Sequence, residues 1–200
     1  HDWPHFPIAT PTSGKAYGKC DQNARNQLDL CAIVGTEILR AYKLTGNPRY
    51  FEAAKHWGDV FAEKCNLDPT QPPWNRYTHP EVVGWSDELT GSVTLILDFL
   101  DELIRMGYTG KDHAILKARD AGRRYVRDIL MPRWLQNDTW GRNYWDWDNP
   151  VICGIVSMCG DYIMKNPQAF PGWQTDMRNV LTLIFNRNCA DPASKGDVYH

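Results

Sequence analysis

Two stretches of the chain concentrate the side chains that could do chemistry. The first reads Trp74-Asn75-Arg76-Tyr77-Thr78-His79-Pro80 and continues to Trp85-Ser86-Asp87-Glu88; the second reads Trp140-Gly141-Arg142-Asn143-Tyr144-Trp145-Asp146-Trp147-Asp148. Between them they hold five of the nine tryptophans. Flat aromatic faces stack on the C–H faces of sugar rings, while Asn, Arg and Asp satisfy hydroxyls and carboxylates, so the combination suits a saccharide cleft. Trp74, Trp85, Trp145 and Trp147 are the candidate walls, with Arg76, Asn143, Asp87, Glu88, Asp146 and Asp148 as polar contacts to substrate. The competing role for the tryptophans is structural, as a plug closing one end of a helical assembly.

Two chemistries fit these residue types. Elimination next to a uronate carboxylate needs donors that neutralise the carboxylate and a base for the neighbouring proton. Asn75 and Arg142 are the expected donors, and His79, Tyr77 or Tyr144 the base or acid. His79 is the single histidine in either stretch, since His56 and His113 fall in helical segments; as a residue before Pro80 it also reads as an ordinary exposed loop position. Hydrolysis instead needs two carboxylates, one kept protonated. Asp87 or Glu88 would pair with Asp146 or Asp148, the latter two flanked by indoles that raise a carboxylate pKa by desolvation. Asp87 and Asp148 have a simpler job too, as acids favoured at helix starts. A third reading is non-catalytic: a helical-repeat module binding a glycan or peptide in an aromatic groove.

The elements that would position these stretches are helices. Residues 1–20 are rich in Pro, Gly and Thr and predict an irregular arm. Helical periodicity then runs from about Asp21 to Leu44, from Asn47-Pro48 to about Cys65, from a cap at Ser86 or Asp87 to about Gly107, from Lys111 to Met131, from Asn149-Pro150 to Lys165, and from Trp173 to Asn188. The odd-numbered helices are apolar over most of their circumference, as in Leu28 to Ala41, Val93 to Leu100 and Val151 to Cys159, which predicts burial on nearly all sides. The second and fourth carry single stripes (Phe51, Ala54, Trp57, Phe61; Ile115, Ala118, Ala121, Tyr125, Ile129) and predict one wet face. Thr45-Gly46 recurs as Thr109-Gly110 and Gly58 as Gly122 at one offset, which reads as internal repetition. Gly35, Gly91 and Gly154 read as helix-interior glycines that permit close approach of neighbouring inner helices. Three successive hairpins with inner and outer layers are expected, and both chemistry-bearing stretches feed inner helices.

The phrase Leu44-Thr45-Gly46-Asn47-Pro48-Arg49-Tyr50-Phe51-Glu52-Ala53-Ala54 resembles the turn and outer helix of α/α-toroid carbohydrate-active enzymes, including six-hairpin glycosidases, unsaturated glucuronyl hydrolases and toroid polysaccharide lyases. The resemblance covers about Asp21 to Cys189. It implies an all-α fold, an incomplete α/α toroid in which residues 21–200 supply about half of the ring, and a uronic-acid-containing polysaccharide or oligosaccharide as substrate. Toroid alginate lyases carry an adjacent Asn-His pair, whereas Asn75 and His79 are separated by three residues here.

Composition bounds the rest. Net charge is −2, from 22 basic and 24 acidic residues, which gives no electrostatic case for nucleic acid or an anionic membrane. No apolar run approaches the roughly 20 residues that span a bilayer. The sequence opens on His1 without a visible signal peptide and stops at Gly196-Asp197-Val198-Tyr199-His200, which reads as a fragment of a longer, secreted or periplasmic polypeptide. None of the six cysteines forms a Cys-x-x-Cys pair. Cys31, Cys153 and Cys159 read as small buried hydrophobes, with Cys20–Cys65 open as a disulfide. Asn137-Asp138-Thr139 matches the glycosylation sequon. Metal-ligand spacing is not apparent, and no cofactor is expected.

Overall fold

The computed structural model describes residues 27–75, 89, 91–132 and 151–184, together with the backbone of 10–11 and 24–25; in the last long span, side chains are described from 158 to 178. Apart from a two-residue antiparallel pairing of β1 (Thr10–Pro11) with β2 (Ala24–Arg25), the regular elements among the described residues are helical. The described α-helices are α1 (Leu28–Thr45), α2 (Pro48–Glu63), α3 (Val93–Arg105), α4 (Ala114–Tyr125), α5 (Val151–Lys165) and α6 (Trp173–Ile184). The chain divides into two compact units, one of His1–Leu89 with Leu95–Arg123, the other of Thr90–Thr94 with Arg124–His200. No described helix is long and apolar enough to cross a membrane.

The α1–α2 turn follows from local chemistry. Gly46 takes a left-handed conformation (φ 66°) and donates its N–H to Tyr42 O at 2.8 Å, closing α1. Asn47 then accepts the Arg49 N–H at 3.1 Å, and Pro48 occupies the first helical position, where no N–H is needed. The other end of α1 differs from expectation. The backbone is extended at Ala24–Arg25 and at Gln27, so the helix begins at Leu28, not near Asp21.

Helix α3 is the core of the first unit. Ile96, Leu97, Phe99, Leu100 and Leu103 are fully buried, and neighbours approach it closely at glycines. A Cβ on Gly35 of α1 would lie 2.9 Å from the Phe99 ring, and one on Gly58 of α2 would collide with Leu103 Cδ1. On Gly122 of α4 a Cβ would meet Leu97 Cδ2 at 2.6 Å. The repeated Gly58 and Gly122 thus do one job, letting α2 and α4 close on α3. Gly91 is different: it lies in the turn before α3, where its carbonyl accepts the Thr94 N–H and hydroxyl at 3.1 and 2.8 Å. With that turn in place α3 starts at Val93, and its first turn holds no acid.

Burial separates α3 from α2 and α4 as the patterning predicts. On α2, Ala53, Ala54, Trp57, Gly58 and Phe61 are buried while Glu52, His56 and Glu63 are exposed. On α4, Ile115, Ala118 and Ala121 are buried while Lys117 and Asp120 are exposed. Helices α1 and α5 are less covered than their composition suggests: Ile33 and Val34 are each 40% exposed, Met158 42% and Met164 51%. The fourth helical segment is also less regular. Asp112 and His113 have positive φ (51° and 58°), so the 3-10 turn Lys111–His113 precedes α4, and Val126–Leu130 widens into a π-helical turn.

In the second unit, α5 and α6 form a hairpin. Tyr162 and Phe170 meet edge to face with centroids 6.0 Å apart, and Asn166 Nδ2 donates to Tyr162 O at 2.9 Å. Cys159, Ile163 and Phe170 are fully buried.

Candidate functional site

Of the sequence-derived site residues, Trp74 and Asn75 are within the described structure. Arg76, Tyr77, His79, Trp85, Asp87, Glu88, Arg142, Asn143, Tyr144, Trp145, Asp146, Trp147 and Asp148 lie outside the described residues, as does Cys20 of the open disulfide pairing.

Trp74 is not the stacking wall that the sequence predicts. It is 1% exposed, and its indole Nε1 donates to the Phe61 carbonyl at 2.9 Å. A Cβ on Gly122 would sit 3.0 Å from Trp74 Cζ3, so the missing side chain at that position is what admits the indole edge. The ring is therefore an anchor between the end of α2 and the face of α4. The preceding turn is fastened as well: Asn66 N–H donates to Pro73 O at 2.8 Å, and Asp68 accepts the Thr70 N–H and hydroxyl at 2.9 and 2.8 Å. Asn75, the next residue, is exposed. Trp74 thus fixes the start of the first chemistry-bearing stretch, and Leu89, which follows the stretch, is also buried at 1% exposed.

A second polar and aromatic cluster lies by the short turns, where residue patterning predicts no site. Tyr108 donates its phenol O–H to Asp59 Oδ2 at 2.6 Å. Lys55 Nζ stands 5.4 Å from the ring centroids of both Phe51 and Tyr108, and Phe51 stacks on Tyr42 at 5.1 Å. Phe51, Lys55 and Asp59 recur at i, i+4, i+8 on one face of α2, which is the signal that could have found them. Burial, followed by the hydrogen bond to Asp59, pushes the Tyr108 phenol up from 10.0 to about 12. It therefore stays protonated at neutral pH and acts as a donor, not a base. The cluster ties α2 to the turn after α3. Close by, Lys43 of α1 and Arg105 both pair with Glu102 of α3.

A third polar feature joins α3 to α4. Buried Asp101 accepts from Arg123 Nη2 at 3.0 and 2.9 Å and from Arg119 Nη1 at 3.3 Å. Charge-assisted bonds of this kind fix the mutual register of two helices. Among the described residues, no group of three or more His, Cys, Asp or Glu side chains is arranged to hold a metal ion. Among the described residues, the two buried thiols stay protonated. Burial pushes Cys159 up to about 12, and burial followed by the nearby Asp29 carboxylate does the same to Cys31, so neither is a thiolate nucleophile at neutral pH. Cys65 donates its thiol to Asn66 O at 3.7 Å and to Ala118 O at 4.0 Å.

No protein-family model matches the chain, and comparison with curated proteins and with solved structures likewise gives no match.

Proposed function

We propose that the chain is part of an α/α toroid that cleaves a uronic-acid-containing glycan by β-elimination outside the cytoplasm. What carries the reading is the pattern of two long Trp-, Arg- and Asn-bearing connections, each joining an amphipathic helix to an apolar one. The helical scaffold supports it, with α3 enclosed by α1, α2 and α4 and with Trp74 holding the start of the first connection against α4. In the proposed reaction, Asn75 and Arg142 hold the uronate carboxylate and stabilise the negative charge that develops as the adjacent proton leaves. His79, Tyr77 or Tyr144 accepts that proton, the glycosidic C–O bond breaks, a C=C bond forms in the uronate ring, and a protonated side chain returns a proton to the leaving oxygen. Arg76, Asn143, Trp85, Trp145 and Trp147 bind flanking sugars; Trp74, being buried, supports the connection instead.

The indole-flanked acids Asp146 and Asp148 favour one alternative, hydrolysis with Asp87 or Glu88 as the second carboxylate. Alginate, glucuronan and glycosaminoglycans, incubated with the chain, separate the two. Elimination produces new ultraviolet absorbance from the unsaturated uronate, and loss of that absorbance in His79→Ala, Tyr77→Phe or Tyr144→Phe assigns the base. New reducing ends without absorbance reject elimination, and binding without turnover leaves a glycan-binding module.

A further inference from the structure

Helix α1 carries apolar residues on two sides. One packs into the core through Leu28, Cys31, Ala32, Gly35, Ile38 and Leu39. The other looks outward: Ile33 and Val34 are each 40% exposed and Leu44 78%. By contrast, α2, α3 and α4 expose no large hydrophobic residue among those described. Ile33, Glu37, Arg40 and Leu44 follow at spacings of four, three and four, so they form one stripe along the helix.

The order of chemistry in that stripe is complementary to its own reversal. It reads apolar, acid, base, apolar about a midpoint between residues 38 and 39. We propose that the stripe is a self-docking face, at which two copies of the chain pair through antiparallel α1 helices about a two-fold axis. Reversal about that midpoint sets Ile33 against Leu44 of the partner subunit and Glu37 against Arg40 of the partner subunit. The four-three-four spacing is that of a two-helix seam, and self-complementarity is what an isologous two-fold contact requires. Glu37 and Arg40 lie 3.5 Å apart within the helix, and both are well exposed, so their exchange for the partner's charges needs no rearrangement of the core. Charge order is what selects a second copy: any apolar partner could cover Ile33 and Leu44, but this acid and base match their own reversed image. The proposal does not rest on the glycan reading.

Four residues per copy make a small interface, below the roughly 1,200 Å² of stable complexes, so the dimer should be weak and concentration-dependent. Sedimentation velocity of the 200-residue chain over a range of concentrations tests it. Arg40→Glu should weaken dimerisation about tenfold or more, because it sets acid against acid. Adding Glu37→Arg to that variant restores the pairing and should restore the dimer, while Ile33→Asp should leave monomer. All three positions are exposed, so circular dichroism should be unchanged throughout. A monomer at every concentration, or a dimer indifferent to these substitutions, overturns the proposal and leaves the stripe to the lining of a ring or to another helix of a longer polypeptide.

Discussion

Trp74 shows how one residue type can carry two opposite jobs. In the sequence it opens a run of aromatic and polar side chains and reads as their first member. In the structure its N–H answers the Phe61 carbonyl at the end of α2. Trp74→Phe keeps most of the apolar surface but strands that buried carbonyl, which should cost about 1–3 kcal/mol of stability. Denaturant unfolding measures it; an unchanged midpoint would mean that the carbonyl finds another donor. The buried thiols give a pH-dependent counterpart. Cys31 and Cys159 are raised from 9.0 to about 12, so on alkalinisation the unfolded chain loses these protons first. Their contribution is whole below about pH 9 and is lost progressively as pH rises towards about 12. Thermal midpoints should fall across that window and fall less steeply in Cys159→Ala; equal slopes would show that other groups set the alkaline limit.

Helix boundaries were legible where the turn chemistry was complete. Gly46, Asn47 and Pro48 mark a stop, a cap and a start, and each does that job. Asn47→Ala should therefore cost about 1 kcal/mol, read as a lowered thermal midpoint. Boundaries were lost where the helix starts several residues after the suggested cap, as α3 does at Val93, or where extended backbone at Gln27 preceded a strongly apolar run. The kink at Asp112 and His113 left no mark because neither residue type requires positive φ. Gly35 was legible as a close approach, and the partner is the Phe99 ring. Alanine would gain about 1 kcal/mol of helix propensity there. A rigid, fully buried ring 2.9 Å from the new Cβ must shift, at a cost of about 1–3 kcal/mol. The clash should win in Gly35→Ala, and Phe99→Leu in the same chain should relieve it; two variants of equal midpoint would contradict the packing argument.

For the molecule as a whole, the sequence distinguished a helix enclosed by its neighbours from helices with one wet side, and α3 against α2 and α4 bears that distinction. Coverage of α1 and α5 was overestimated, because an apolar circumference says how much surface wants burial and not how many neighbours supply it. Residue types suggest two stretches for glycan chemistry, but types alone do not fix which side chains converge. The toroid-lyase account requires the two long connections to share one cleft. Its most direct test is a crystal structure of the chain soaked with a short oligouronate. The account predicts one sugar chain in contact with both connections, with Tyr77 and Tyr144 reaching the same uronate. Tyr77 and Tyr144 at opposite ends of the molecule, with no sugar between them, would contradict it.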